Sequence, residues 1–470
     1  MSRLSTKPRS GMRDFLPRDV ARRAYVVSVL RQVYERYGFV PLETPAVESL
    51  AVLSGKYGED ERLIYRLLLR GEALARALGR RADEAALSAD DLSEEALRYD
   101  LTVPLARVVA QYGAKLPRYF KRYQIQPVWR ADRPGKGRFR EFYQCDIDAV
   151  GSPGRLCEAE VLSAVAEALA ALRLDDVAIH LNHRGLLRAV LAAAGVPEAL
   201  GTSALTALDK LDKIGPEGVR AELDARGVAP EAAARLLDRV ARAEGAEDPR
   251  ASLAAFAADL GEGAAAAGEL ADLLDLLAVT KAAGRVRFDP ALARGLGYYT
   301  GAIFEVRLTG YGFSVAGGGR YDGLVGIFGK QDVPAVGCSI GLERILVVLD
   351  ERDLYPPLRV GPDVVLCWFG VPGRTVLAAA AALRAGGLRV EVYPDEAKLK
   401  KQLAYAASEA VGAPFAAIVG PDEAAAGAVT VKDLARGEQA TVPQAEAAAW
   451  VAARTEPSEA ADRARPEPGR

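Results

Sequence analysis

The chain has 470 residues, half of them hydrophobic and about a quarter charged, with a net charge of −2. That length exceeds one core, so two or three domains are expected, and the composition is that of an ordinary globular protein. No run approaches the ~20 apolar residues of a membrane span, the first residues carry no apolar signal-peptide core, and four scattered cysteines (Cys145, Cys157, Cys338, Cys367) form no CxxC pair, so neither a disulfide frame nor a zinc site is indicated and a reduced cytoplasmic protein with no membrane span is expected.

Residues 18–37 place Val26, Val29, Leu30, Val33 and Tyr37 at helical spacing, with Gly38 as the stop signal. FVPLETPAVE follows as an extended segment interrupted by Pro41 and Pro45. LIYRLLL (63–69) and ALRYDLTVP (96–104) read as strands, and the Ala- and charge-rich residues 70–95 between them as a helical excursion. RYFKRYQIQPVWR and GRFREFYQCDIDAVG form a β-hairpin, followed by a helix over 156–172 and a strand over 175–181. The only two histidines, His180 and His183, stand three residues apart; without a nearby third ligand they read as a strand end leading into a helix rather than a metal site. Their scarcity argues against chemistry resting on a histidine base.

From 184 to 284 the texture is continuous amphipathic helix, which predicts a helical insertion. Strands resume in RVRFDPALARGLGYYTGAIFEVRL, FSVAGGGRYDGLV and AVGCSIGLERILVVL. Residues 351–362 read as a linker. VVLCWFG, LRVEVY and PFAAIVG then alternate with helical stretches, which predicts a compact α/β domain with a mostly parallel sheet. The Pro- and charge-rich end from Glu456 reads as disordered.

The hairpin carries the strongest chemical signal. Between Arg118 and Arg140 stand eight Lys or Arg residues and one acid, Asp132. A local excess of that size in a near-neutral chain implies a polyanion. Alternate side chains of a strand share a face, and along 139–149 one set (Phe139, Tyr143, Cys145, Ile147, Ala149) is mostly apolar while the other (Arg140, Phe142, Gln144, Asp146, Asp148) is mostly polar. Exposed sheets also show polar faces, but the basic turn RPGKGR, with Arg133, Lys136 and Arg138, and the forked donor Arg130 suit phosphate beside a small polar ligand. Two later stretches fit the same chemistry. Arg294 stands on a glycine-flanked turn before Tyr298 and Tyr299, and Gly317–Gly319 allow close backbone approach to a ligand. Arg344 falls on the first turn of a helix entered from an apolar strand.

In this order the stretches resemble the histidyl-tRNA synthetase family of class II aminoacyl-tRNA synthetases. The opening helix with ETPAVE, ending at Pro45, resembles motif 1, the hairpin motif 2 and SIGLERI motif 3. RGLGYYTG and AGGGRYDGL resemble the two histidine signatures, and YDLTVP and LDKLDKIG also match, so the likeness runs from about Gly11 to Pro443. Two departures are Gly297, where the family usually carries a larger residue, and the extra 71–95 segment.

The resemblance implies an α+β fold: a six-stranded antiparallel sheet flanked by helices, a helical insertion and a C-terminal α/β anticodon-binding domain. The corresponding division is catalytic residues 1–183 and 285–350, insertion 184–284, anticodon-binding residues 361–453 and a disordered tail 454–470. It implies a homodimer formed through motif 1, ATP as substrate with Mg²⁺ carried on it, and L-histidine and tRNA(His) as partners, with no membrane. Arg130 and Arg294 would meet the ATP α-phosphate and Arg344 the γ-phosphate. Asp132, Arg133, Arg138 and Phe142 would contact ATP or the tRNA end. Asp100 and Thr102 would hold the histidine α-amino group, Gln144 its carboxylate, and Asp148 with Tyr298 or Tyr299 the imidazole. In the C-terminal domain Lys398 and Lys401, one turn apart, with Lys400 and Lys432 nearby, would meet RNA; taken alone they also read as a solvated helix face. A second reading of the fold is a catalytically silent histidine-binding paralogue such as the regulatory subunit of ATP phosphoribosyltransferase, against which stand the retained Arg130, Arg294, Arg344 and the C-terminal module.

Overall fold

The computed structural model describes residues 4–79, 88–243, 248–293, 297–329 and 331–455. Their backbone holds sixteen strands in three sheets. In chain order these are β1 Val40–Pro41, β2 Val47–Ser49, β3 Arg66–Leu67, β4 Glu95–Leu97, β5 Phe120–Trp129, β6 Glu141–Val150, β7 Val177–His183, β8 Val286–Phe288, β9 Ala302–Leu308, β10 Ser314–Arg320, β11 Ala335–Gly341, β12 Val364–Trp368, β13 Val390–Val392, β14 Phe415–Val419, β15 Ala428–Asp433 and β16 Gln439–Pro443. The chain divides into two compact units, one built from described residues of 1–14 and 23–354, the other from those of 15–22 and 355–470.

The first unit is organised by an eight-stranded sheet in the order β1-β5-β6-β11-β10-β9-β7-β8. Its six central strands pair antiparallel throughout, as expected. A short parallel strand is added at each end, β1 on β5 and β8 on β7, which the sequence reading did not foresee. Beyond β1, the margin of β5 is held by Arg98, which is buried and donates through Nε to the Pro127 carbonyl (2.9 Å) and through a terminal nitrogen to Thr44 O (2.5 Å) and Gln126 Oε1 (3.0 Å).

The hairpin of β5 and β6 forms because its turn residues tolerate what the turn demands: Gly135 and Arg138 exchange two backbone hydrogen bonds at 3.0 Å, and Gly137 adopts φ +67°. One face of the hairpin is apolar, with Cys145 and Ile147 wholly buried. The other face is also buried despite its polarity: Gln144, Asp146 and Asp148 are 8%, 2% and 2% exposed. A buried polar face of this kind must be matched by partners or by a ligand.

The two strands read over 63–69 and 96–104 shrink to β3 and β4, which join β2 in a small antiparallel sheet. Leu101 already has helical backbone angles, and Thr102 opens the helix Thr102–Tyr112 because Asp100 caps it, accepting from Val103 N at 3.0 Å. The excursion over 70–95 is helical at Gly71–Gly79; residues 80–87 lie outside the described residues. Residues 184–284 carry helices including Arg184–Ala194, Leu211–Ala225 and Ala264–Leu277, and Gly215, at φ 70° and ψ 174°, kinks the second of these before Pro216. His183 caps the first, accepting from Gly185 N (3.0 Å), while its Nε2 meets Glu269; His180 pairs with Asp289.

The second unit is a five-stranded sheet in the order β13-β12-β14-β15-β16. β12 runs parallel to β13 and β14, while β14–β15 and β15–β16 are antiparallel, so the mostly parallel sheet expected from alternation is half right. The connection from β14 to β15 explains the difference. It holds only the six-residue helix Pro421–Ala426 and single flanking residues, and a parallel crossover needs about a dozen or more. The tail expected to be disordered lies, beyond Thr455, outside the described residues.

Candidate active site

The polar face of β6 floors a cleft of about 760 Å³ whose walls include residues of β9, β10 and β11, the turn at 137–139 and the Asp100–Thr102 segment. Strand register assembles the floor. Gln144, Asp146 and Asp148 face Gly341, Ser339 and Gly337 of β11 on one side and Gln126, Gln124 and Arg122 of β5 on the other. Gly337 has to be glycine, since a Cβ there would come within 1.9 Å of Asp148 Oδ1.

Arg122 is wholly buried, and its NH2 nitrogen lies 2.9 Å from Asp148 and 3.9 Å from Asp146. The first contact is close but out of line for a hydrogen bond, so it acts through charge. The same nitrogen donates to Leu101 O at 3.1 Å, which ties the floor to the segment bearing Asp100 and Thr102. Asp148 also accepts from the Tyr321 hydroxyl. Burial raises the Asp148 carboxyl above the usual range, with Arg122 and Tyr321 opposing it. Asp146 is pushed up to about 7, by burial first, against the pull of Arg122.

Asp100 forms the opposite wall. It accepts from the hydroxyls of Tyr57 (3.1 Å) and Tyr298 (3.2 Å), and Tyr298 also bonds with Thr102. Burial is the chief cause that raises the Asp100 carboxyl. Tyr299 packs against Tyr298 with ring centroids 4.9 Å apart, and a Cβ on Gly319 would strike its ring at 2.8 Å. Both tyrosines therefore reach the cleft, but the one that bonds Asp148 is Tyr321.

Toward the hairpin turn the wall becomes cationic. Arg130 donates to Tyr99 O (3.1 Å) and lies over the rings of Tyr99 and Phe142 at 4.2 and 5.3 Å. Arg344, on the first turn of the helix Leu342–Glu351, donates to Gly137 O (3.2 Å) and Ser314 O (2.5 Å), so it braces the turn against β10. Asp132 and Arg138 also line the cleft, 3.8 Å apart. Arg133 is exposed and does not line it, and Lys136 reaches Glu351 at 2.7 Å. Arg294 lies outside the described residues. At Gly297 a Cβ would meet only Lys56 O, at 3.9 Å, so the larger residue usual there is not sterically barred. In the second unit Lys398, Lys400 and Lys401 are exposed and Lys432 is half-buried.

Sequence reading left Arg122, Ser339, Tyr57 and Tyr321 without a role. Arg122 was accessible to it, because counting back from the turn pairs Arg122 with Asp148; the others depend on contacts between distant segments. The LDKLDKIG stretch also arrives here: Asp209, Asp212 and Lys213 line the cleft, with Asp212 paired to Arg307 at 2.9 Å.

Comparison with known proteins bears on this geometry. Residues 11–345 match the histidyl-tRNA synthetase family and residues 374–454 an anticodon binding domain family. A histidine–tRNA ligase from Gloeobacter violaceus is 42% identical over 94% of this chain and 98% of its own length. The crystal structure of histidyl-tRNA synthetase from Nostoc sp. PCC 7120 superposes with a TM-score of 0.74 at 32% identity, covering 96% of this chain and all of that one. A Bacillus halodurans protein described as an ATP phosphoribosyltransferase regulatory subunit/histidyl-tRNA synthetase shares the fold, with a TM-score of 0.67 at 21% identity over 83% of this chain and 94% of that one.

Proposed function

The chain belongs to the histidyl-tRNA synthetase family and works as an ATP-dependent histidine–tRNA ligase, and we propose that its cleft joins L-histidine to ATP as histidyl-adenylate before the histidyl group passes to the 3′ end of tRNA(His). The observation that carries the assignment to this cleft is the convergence of buried acids (Asp146 and Asp148 on the floor, Asp100 on the wall opposite) and a cationic wall (Arg130, Arg138, Arg344) around one volume. One end suits the ammonium and imidazole of histidine, the other a polyphosphate.

In the activation step the histidine carboxylate attacks the α-phosphorus and pyrophosphate leaves, so no protein base is required. Catalysis then rests on alignment and on charge placed where it develops. Arg130, held by Tyr99 O and flanked by two aromatic rings, is fixed before ATP arrives. With Arg294 on the other side it would neutralise the α-phosphate, Arg344 and Arg138 would meet the distal phosphates, and Phe142 offers a face for the adenine. Mg²⁺ would come with ATP on its β- and γ-oxygens. Asp148 and Tyr299 would bond the imidazole, and Asp100 and Thr102 the α-ammonium. A site of buried acceptors discriminates well, because an apolar analogue leaves them unpaired.

The second unit would bind the anticodon arm through the Lys398–Lys401 surface with Lys432, and two copies would pair through the segment resembling motif 1 in the cytoplasm. A purely regulatory, histidine-binding role is not favoured, since relatives close in sequence over the whole chain are ligases. Histidine-dependent exchange of pyrophosphate into ATP tests the reading. The exchange is expected with histidine and absent with other amino acids; none with histidine would reject it.

A further inference from the structure

Arg140 counts among the basic residues of the hairpin, yet it does not line the cleft. Its guanidinium is committed to main chain instead. Nε donates to Asp132 O on the outgoing arm of the turn (3.0 Å), and a terminal nitrogen donates to Ser10 O (3.4 Å). The Arg140 carbonyl accepts from Arg130 N (2.9 Å), and its amide donates to Gly11 O (2.8 Å). Arg140 therefore joins three stretches of chain: both arms of the turn and a segment 130 residues earlier.

That segment is shaped to lie there. Met12 N closes a turn onto Arg9 O (3.0 Å), and Gly11 adopts φ +82°, where a Cβ would come within 2.7 Å of Arg140 Cγ and 3.0 Å of Pro134 Cγ. Arg13 lies over the Phe139 ring at 3.7 Å. Burial pushes the Glu343 carboxyl up to about 7, with Arg13 among the charges opposing it. Phe139 and Glu343 both line the cleft. β6 begins only at Glu141, so the turn lies beyond the paired strands and its posture must come from elsewhere. Arg344 braces it at Gly137 O; residues 10–13 brace its returning arm. We infer that residues 10–13 form a strap which, through Arg140 and Phe139, holds the turn with Arg138 facing the cleft, making Gly11, Arg13 and Arg140 positioning residues for ATP. This rests on the proposed use of the turn for the nucleotide. The strap grips main chain and a ring, so the charge of Arg138 stays available to phosphate.

Arg140→Met keeps the apolar stem and removes both guanidinium bonds, while Gly11→Ala strains the strap at its left-handed residue. In the histidine-dependent exchange assay each raises the KM for ATP about fivefold to tenfold, the scale of one or two hydrogen bonds, with the KM for histidine within about twofold. Loss of folded protein would instead lower the rate and leave both KM values in place. Arg140→Lys, which keeps a donor for Asp132 O, recovers part of the effect. The double variant falls short of the product of the two single effects, since both cut one link. A KM for ATP that moves in neither variant or in only one, a matching rise in the KM for histidine, or a full product in the double variant overturns the inference. Should both variants melt early, exposed Arg13 decides: Arg13→Ala raises the KM for ATP about threefold, and no change overturns the strap. Absence of any histidine-dependent exchange in the unmodified protein would remove the functional reading instead.

Discussion

The floor of the cleft and the turn at its mouth carry opposite charges and are built on opposite terms. On the floor, Arg122, Asp146 and Asp148 are almost wholly out of water and fixed by strand register. At the turn, Lys136 and Arg138 are more than half exposed, and Arg138 meets its acid only at 3.8 Å. Burial makes every charge on the floor expensive to mismatch, which suits choosing one small ligand. Exposure keeps the turn's charges hydrated and weakly committed, which suits a nucleotide that must enter and leave. The difference teaches where the committed, buried charge of the cleft resides: in the strands, not in the basic loop that first marks the site in the sequence.

Four changes probe that division. Arg122→Leu should have the largest effect, leaving two buried carboxylates without their cation and costing about 3–5 kcal/mol of stability in urea denaturation; a wild-type midpoint would show that the pair is dispensable. Arg130→Ala, at the boundary of the two regions, should slow adenylate formation by about 10²–10³-fold in single turnover with the melting temperature little changed. Unaltered rates would remove Arg130 from the reaction. The third change is pH. The acid-rich side of the cleft attracts cationic groups only through ionised carboxylates, and burial has pushed that of Asp146 up to about 7, so kcat/KM for histidine should rise with pH through about 7 and fall as the acid form takes over below it. A profile flat from about pH 6 to 8 would contradict this. The smallest effect is expected of Lys136→Ala. Its partner Glu351 is itself exposed, so folding should be unaffected, and only the salt dependence of the KM for ATP should weaken.

Most of the fold was legible because periodicity reports local structure. The hairpin, the helix read over 156–172 and the helical stretch after 184 follow from alternation, helical spacing and glycine placement, whereas the six-stranded antiparallel sheet was expected from the family resemblance. Sheet edges and connection lengths were not legible to the same degree: β1 and β8 are two and three residues long, too short for any period, and the antiparallel turn of β15 follows from chain economy rather than from its own residues. In the site, Gln144 and Asp148 stood out because they alternate with apolar neighbours. Arg122, although its register with Asp148 could be counted from the turn, was passed over because charge in a basic strand looked like a phosphate signal, yet the fold buries it against the acids. Tyr321, just past the end of β10, and Ser339 on β11 reach the floor from 173 and 195 residues away along the chain, a distance over which no local pattern informs.

The margins of the large sheet carry a consequence for the chain in a crowded solution. An antiparallel block of six strands would leave two rows of unpaired main-chain groups, each a template for another chain. Here one row is shortened by β8, and the other by β1, by Pro127, which has no N–H to offer, and by the Arg98 guanidinium on the Pro127 carbonyl. Open strand pairing between copies is thereby discouraged at both rims, so that the long, register-dependent floor of the cleft is protected from recruitment into aggregates.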